Sequence, residues 1–169
     1  MRGKLAAVGG GDKSHLPAVG SPVSFAGMKK NQVGRILWSD LTVPDAVAVS
    51  GFYAAVVGWK SVGLDMGGYE DFCMMPGGAK KPAAGICHAR GVNKDLPAQW
   101  LVYITVANLR RALKACVAKG GTIVTPEREV GDAKMAVIRD PAGAVAALFQ
   151  AAKEKPAKKA KAKSTMKAK

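Results

Sequence analysis

Side chains that indicate a specific chemistry are scarce in this chain of 169 residues. It has two histidines, and its three cysteines (Cys73, Cys87 and Cys116) form no CxxC pair. An odd number of cysteines in a sequence that is 49% hydrophobic does not suggest a disulfide framework. We therefore expect reduced thiols packed in a core, and a cytoplasmic protein. No apolar run approaches the roughly 20 residues that span a bilayer, so we expect no membrane span.

Acidic residues are also few, 12 against 26 lysines and arginines, and the excess of positive charge lies at the ends of the chain. Residues 1–32 contain five basic residues and one acidic residue without a sustained apolar period, which predicts a disordered extension. Residues 151–169 contain eight lysines, one glutamate and no aromatic residue. This composition predicts a disordered, lysine-rich tail that either makes non-specific contact with nucleic acid or only keeps the chain soluble.

The nearly balanced body, residues 33–150, contains a repeat. Leu41–Asp45 recurs 63 positions later as Ile104–Asn108, and in both copies an apolar run ends where a helix-like segment begins. Each helix is followed by glycine, Gly58 in the first copy and Gly121 at the equivalent position in the second. Such a repeat indicates two similar units, 33–92 and 99–150, with equivalent side chains on both walls of whatever they enclose.

The first unit has the pattern of a strand, a helix and three further strands. Val33–Val43 is the first strand, and the helix begins at the N-cap Asp45 and ends at Gly58. Its predicted inward face is apolar at roughly helical spacing and consists of Val47, Phe52, Val56 and Val57. The three further strands are 59–66, 69–75 and 83–89, with a hairpin turn at Gly67-Gly68.

The second unit repeats this order. The predicted strand 100–106 is followed by the N-cap Asn108 and a helix over 109–119. Leu109, Leu113, Cys116 and Val117 are predicted to face inward, and Arg110, Arg111 and Lys114 outward. The remaining strands are 122–125, 133–139 and 144–149, the last two joined by a turn at 140–143.

Two tandem β-α-β-β-β units resemble the vicinal oxygen chelate superfamily, which includes glyoxalase I, bleomycin-resistance proteins and extradiol dioxygenases. The features that carry the match are Val43-Pro44-Asp45, Phe52-Tyr53, Gly58-Trp59, Gly120-Gly121 and Asp140-Pro141-Ala142-Gly143. The resemblance covers 33–150 and implies an α+β fold in which two modules form a U-shaped mixed sheet with a concave cavity. It is also compatible with a homodimer. One fold hosts many chemistries, so the resemblance alone does not assign a reaction.

In the metal-using members of this superfamily, the first and last strands of each module supply the ligands of a divalent ion. The equivalent positions here are Trp38 and Leu101 on the first strands and Ala147 on the last strand of module two. None of these side chains suits a cation that requires nitrogen, oxygen or sulfur ligands. The fourth position lies on the strand that contains Ile86 and His88, and one histidine does not make a catalytic site. We therefore expect no cofactor and no divalent metal ion.

The chain is more similar to a metal-less, glyoxalase-like branch, whose first strands carry Trp-x-Glu/Asp-Leu and Trp-x-x-Tyr. The corresponding segments are Trp38-Ser39-Asp40-Leu41 and Trp100-Leu101-Val102-Tyr103. Alternation along strands predicts that one face holds Trp38, Asp40, Leu101 and Tyr103, with His88 as a further candidate. Aromatic walls around a few polar groups are typical of a pocket for a small apolar or aromatic molecule.

Each candidate also has a structural interpretation. Trp38 and Tyr103 are alternatively ordinary core residues, and His88 an ordinary strand histidine. Asp40 is harder to dismiss, because a buried carboxylate without a partner is costly. It is either paired with a nearby arginine or tyrosine hydroxyl, or it anchors a ligand or acts as a general base, for which His88 is the candidate partner.

Three functions are therefore compatible with the sequence. The favoured one is metal-independent binding of a small molecule by a glyoxalase-like or bleomycin-resistance-like protein. The second is an enzyme of the lyase, isomerase or dioxygenase type, which uses either a metal or acid–base chemistry at Asp40 and His88. The third is an interaction protein that binds nucleic acid through residues 151–169.

Overall fold

A computed structural model describes residues 32–152, in which the β-α-β-β-β order occurs twice, as predicted. The first module consists of β1 (Ile36–Val43), α1 (Ala46–Val57), β2 (Lys60–Asp65), β3 (Glu70–Met75) and β4 (Ala84–His88). The second consists of β5 (Trp100–Thr105), α2 (Leu109–Ala118), β6 (Thr122–Val130), β7 (Ala133–Arg139) and β8 (Val145–Gln150). The predictions for the N-terminal extension and the lysine-rich tail fall on residues outside the described part of the chain.

The eight strands form one mixed sheet in the order β2-β3-β4-β1-β5-β8-β7-β6. Each module contributes four adjacent strands with the same internal order, and in each module the first strand is parallel to the last. The modules meet where β1 pairs antiparallel with β5. The expected α+β fold with two joined modules is therefore confirmed.

Equivalent caps begin the two helices. The carboxylate of Asp45 accepts from the amide of Ala48 at 2.9 Å, and the side-chain oxygen of Asn108 accepts from the amide of Arg111 at 2.9 Å. Each cap satisfies a backbone N–H that has no partner within the helix. The repeated segments of the sequence thus encode the same local structure.

The repeat pairs Gly58 with Gly121, but in the structure the glycine that matches Gly58 in conformation is Gly120. Gly58 adopts a left-handed conformation with φ of 76°, and in the second module it is Gly120 that has a positive φ, of 86°. Gly121 is required for space instead, since a Cβ there would lie 2.8 Å from the carbonyl oxygen of Arg139. One glycine turns the chain, and the next allows close approach of the backbone.

Helix α1 does not bury the face that its sequence predicts. Val47, Phe52, Val56 and Val57 are all exposed, by 49–64%. The side that faces the sheet consists of Ala46, Val49, Ser50 and Tyr53. The prediction was wrong because α1 contains no charged residue, so that no polar side marked the direction of solvent.

Helix α2 follows its predicted orientation more closely. Leu109 and Leu113 are buried against the sheet, and the three basic residues of the helix are exposed. The prediction that Val117 faces inward is wrong, since 55% of its surface is exposed. Cys116, also predicted to face inward, is only partly buried. Val117 lies about 80° around the helix axis from Leu109, at the margin of the inward stripe.

Strand β6 is longer than the predicted 122–125 and continues through Pro126 to Val130. Proline is tolerated there because β6 is an edge strand and its register with β7 shifts between Thr125 and Arg128. The extension brings Arg128 into the sheet.

The two faces of the sheet have separate cores. On one face α1 packs over Leu41, Val43, Met74 and Ile86, and α2 packs over Ala136 and Leu148. The opposite face, here called the inner face, has its own buried cluster, drawn mainly from β1, β5, β7 and β8. Among the described residues, neither helix has the length and apolar character needed to cross a membrane.

Candidate functional site

The inner face brings together the first strands of both modules. Trp38 lies opposite Tyr103, Tyr103 lies opposite Ala147, and Asp40 lies opposite Leu101. Directly opposed residues of paired strands share a face of the sheet. The register therefore places the predicted residues Trp38, Asp40, Leu101 and Tyr103 together, at the junction of the modules.

Asp40 is the buried polar centre of this face, with 2% of its surface exposed. The hydroxyl of Tyr103 donates to its Oδ2 at 2.7 Å, and the indole Nε1 of Trp38 donates to its Oδ1. Pairing with a tyrosine hydroxyl, one of the two structural possibilities open from the sequence, is thus present. Both carboxyl oxygens have a donor.

Burial raises the pKa of Asp40 from 3.8 to about 6, although the hydrogen bonds from Tyr103 and Trp38 lower it. Removal from water penalises the charged carboxylate more strongly than two donors stabilise it. Asp71 raises the pKa of Asp40 further, and Arg128 lowers it. The group therefore titrates close to neutral pH, where a carboxyl can either give or take a proton.

His88 is not brought to Asp40. In the pairing of β1 with β4, Asp40 lies opposite Gly85 and His88 lies opposite Val43. The two residues are therefore about 10 Å apart along the strands. The Nδ1 of His88 lies 3.3 Å from Oδ1 of Asp71, and this carboxylate also accepts from the backbone amide of His88 at 2.8 Å. In place of the possible Asp40–His88 pair, the structure has a buried His88–Asp71 pair.

The cysteines of the first module lie near these carboxyl groups. Cys87 is buried, and burial raises the pKa of its thiol, with further raising effects from Asp40 and Asp71. Burial and the charge of Asp40 also raise the pKa of the Cys73 thiol. A thiol with a raised pKa carries little of the thiolate that reacts. Cys87 is buried, as expected of a core residue, whereas Cys73 is only partly buried.

Two charged residues of this region were missed by the sequence analysis. Asp71 is 3% exposed and lies in β3, where nothing in the local pattern distinguishes it from a solvent-facing residue. Arg128 lies in the part of β6 that follows Pro126. Residues 127–130 read Glu-Arg-Glu-Val, without the apolar alternation of a half-buried strand, so no signal in the sequence outweighed the proline as a strand breaker.

Arg128 lies opposite Met135, which belongs to the inner-face cluster. Its Nη2 donates to Oδ1 of Asn93 at 2.9 Å. Its Nε is buried and has no hydrogen-bond partner among the described residues. Burial lowers the pKa of Arg128, and Tyr103, Asp40 and Cys87 raise it.

The superfamily's metal-ligand positions lie on the same face. Trp38, Leu101 and Ala147 are all members of the buried cluster, and the indole of Trp38 is engaged with Asp40. These side chains offer no atom that coordinates a divalent cation. Over residues 32–152, no three His, Cys, Asp or Glu side chains are grouped as a metal site would require. The residues at these three positions do not fit a divalent ion.

Similar chains include Putative glyoxylase CFP32 of Mycobacterium tuberculosis, 31% identical over 124 residues, which are 68% of this chain and 44% of that protein. Anthracycline biosynthesis protein DnrV of Streptomyces peucetius is 30% identical over 129 residues, 69% of this chain and 47% of that protein. The chain thus spans less than half the length of these relatives.

Among solved structures, a glyoxalase/bleomycin resistance protein/dioxygenase superfamily member from Vibrio splendidus is 12% identical, with a TM-score of 0.47 over 70% of this chain and 99% of that chain. The model of the Glyoxalase/Bleomycin resistance protein/Dioxygenase superfamily matches residues 33–148, most of the sequence. The chain belongs to this superfamily.

Proposed function

We propose that the protein binds a small organic molecule at the inner face without a resident metal ion, and that Asp40 is the polar anchor. The observation that carries the proposal is the buried Asp40 carboxyl, held between Trp38 and Tyr103 with a pKa of about 6. A carboxyl group in this position is less favourable for folding at neutral pH than a neutral side chain would be. Perturbed groups of this kind concentrate at functional sites.

The surroundings of Asp40 indicate the character of the ligand. Trp38, Leu101, Tyr103 and Phe149 are apolar or aromatic and belong to one cluster. A carboxylate has about four acceptor sites, of which Trp38 and Tyr103 use two. We therefore expect an apolar or aromatic body with a polar group that reaches Asp40.

A screen of aromatic fragments by ligand-observed NMR tests this proposal. The wild-type protein is compared with Asp40→Asn and with Asp132→Asn, which changes an exposed carboxylate. We expect Asp40→Asn to weaken binding at least tenfold and Asp132→Asn to leave it unchanged. The free energy of unfolding of each variant is measured separately. If Asp40→Asn loses stability but binds as well as wild type, Asp40 is structural and the proposal is wrong in its main residue.

Elemental analysis of the purified protein tests metal independence. The proposal rests on the side chains of Trp38, Leu101 and Ala147, which cannot coordinate a cation. We expect substoichiometric zinc, nickel, manganese and iron after purification without chelator. A stoichiometric content of any of them, retained on dialysis, would contradict the proposal.

A second candidate function is acid–base catalysis by Asp40, favoured by its pKa of about 6. At neutral pH such a group is mostly ionised and can accept a proton from a bound molecule. The test uses fragments that bind, incubated with the protein in D2O. Exchange of a carbon-bound proton that requires wild type and disappears in Asp40→Asn would support catalysis, and its absence with every bound fragment would leave binding as the function.

A further inference from the structure

We propose that the ligand of the inner face carries an anionic oxygen group, a carboxylate in particular, and that Arg128 binds this group. The inference rests on the proposed function, because it names the chemical class of the ligand for the same face of the sheet.

The position of Arg128 places it at this face. It lies opposite Met135 in β7, and Met135 lies opposite Phe149 in β8. Both partners are members of the inner-face cluster and are at most 1% exposed. Since directly opposed residues share a face, the stem of Arg128 extends over the inner face from the edge strand β6.

Asn93 holds the guanidinium at one end. It lies in the short 3-10 turn Gly91–Asn93, in the connection between the modules, and is 6% exposed. Its Oδ1 accepts from Nη2 of Arg128 at 2.9 Å. A neutral amide oxygen orients the guanidinium but does not neutralise its positive charge, which the charge of Asp40 favours without forming an ion pair with it. Arg128 therefore connects the second module to the linker rather than to an acidic partner.

No acidic side chain of the described region pairs with Arg128. The ion pairs over residues 32–152 are His88–Asp71, Arg110–Glu127 and Lys134–Glu127. Glu127 precedes Arg128 in the sequence but lies on the other side of the strand by alternation, where it contacts Lys134. Asp40 accepts from Trp38 and Tyr103 and forms no ion pair with Arg128, although its charge raises the pKa of Arg128. The guanidinium thus keeps its capacity for an anion.

The donor of Arg128 that remains for an anion is its Nε–H group. This N–H is buried and has no acceptor among the described residues. A buried charged donor without an acceptor is unfavourable, and native structures seldom retain one without a functional reason. A ligand oxygen would supply the missing acceptor. Guanidinium binds carboxylates with a planar fork of N–H donors, so a carboxylate satisfies both the geometry and the charge.

Matched pairs of an aromatic acid and its amide test the inference, for example benzoate with benzamide and 1-naphthoate with 1-naphthamide. Affinities are measured by titration calorimetry for wild type, Arg128→Gln, Arg128→Lys and the exposed control Arg111→Gln. We expect wild type and Arg111→Gln to prefer the acid at least tenfold. Arg128→Gln is expected to remove this preference without changing the affinity for the amide. Arg128→Lys is expected to keep part of it, because the charge remains and the fork is lost.

The outcomes separate this inference from the proposed function. If acid and amide bind equally well to wild type, or if Arg128→Gln keeps the preference for the acid, the inference is wrong and small-molecule binding stands. If wild type binds no member of any pair and no fragment of the aromatic screen, the proposed function is wrong as well. Should Arg128→Gln fail to fold, Arg128→Lys decides, since an acid preference equal to that of wild type would contradict the role of the guanidinium fork.

Discussion

At the scale of single residues, Asp40 links stability to pH. Its pKa in the folded protein is about 6, above the ordinary value of 3.8. The protonated form is therefore favoured by folding, so its stabilising contribution is fully present below pH 3.8 and is lost as the pH rises through 6. A difference of roughly two pKa units corresponds to about 3 kcal/mol.

Replacement of Asp40 by asparagine should remove this pH dependence. We expect the free energy of unfolding of wild type to fall relative to that of Asp40→Asn by about 2 kcal/mol between pH 4 and pH 7, most of the full difference. Urea denaturation of both proteins at four pH values over this range measures the difference, and other titrating groups cancel in it. Parallel profiles would show that Asp40 titrates normally in the folded state.

Tyr103 in β5 and Tyr53 in α1 allow a matched test of the hydrogen bond to Asp40. Tyr103 donates its hydroxyl proton to the buried carboxyl, whereas the hydroxyl of Tyr53, on the helix side, accepts from the indole of Trp100 at 3.0 Å. We expect Tyr103→Phe to cost about 2–3 kcal/mol at pH 7 and Tyr53→Phe about 1 kcal/mol, since hydrogen bonds to charged groups are stronger. Equal losses in urea denaturation would mean that the carboxyl is not charged there.

The sequence predicted which residues surround Asp40 because strand alternation is local and strict. Trp38, Asp40, Leu101 and Tyr103 follow from two first strands and a repeat. Whether His88 reaches Asp40 depended instead on the register between β1 and β4, which no local pattern states. Arg128 was missed because Pro126 ordinarily ends a strand, and only the bulges of β6 allow it to continue.

At the scale of elements, α1 shows how the sheet decides what a helix buries. The inward residues Ala46, Val49, Ser50 and Tyr53 lie at positions i, i+3, i+4 and i+7, a regular helical stripe. The outward valines are equally apolar, so composition alone could not choose between the two sides. In α2, Arg110 and Lys114 marked the solvent side, and Leu109 and Leu113 were predicted correctly.

This orientation predicts opposite responses to mutation in the two helices. Val56 is 64% exposed and Leu109 is fully buried. We expect Val56→Ser to change the free energy of unfolding by less than about 0.5 kcal/mol. Leu109→Ala should cost about 2–5 kcal/mol, because it removes apolar contacts and leaves a cavity. Thermal and urea denaturation measure both, and a loss above 2 kcal/mol for Val56→Ser would mean that something covers the outer side of α1.

At the scale of the whole molecule, the duplication explains why a site exists at the centre of the sheet. The antiparallel pairing of β1 with β5 sets Trp38 against Tyr103 and Asp40 against Leu101, so each module supplies half of the polar centre. The repeat predicted two modules and their internal order. It did not predict that the edge strand of the second module would add the positively charged side chain of Arg128, because β6 differs from β2 in length and regularity.

The positive charge of the chain is concentrated at its ends, mainly in the C-terminal tail. Residues 153–169 hold eight lysines and one glutamate, whereas 33–150 are nearly balanced. We propose that this lysine-rich tail binds polyanions without sequence preference. Lysines that neutralise phosphates release bound counterions, so the affinity falls steeply with salt and depends on the number of charges rather than on their order.

Deletion of residues 153–169 should therefore weaken binding to a short DNA duplex at least tenfold at about 50 mM KCl, and wild-type binding should itself decline strongly by about 200 mM. Fluorescence anisotropy with labelled duplexes of two unrelated sequences measures both effects. The matched control is a chain with the same tail residues in scrambled order, which we expect to bind like wild type because only the charge density matters. Unchanged binding after deletion would contradict the proposal. Loss of binding on scrambling would show that binding depends on the order of the tail residues and not only on their charge.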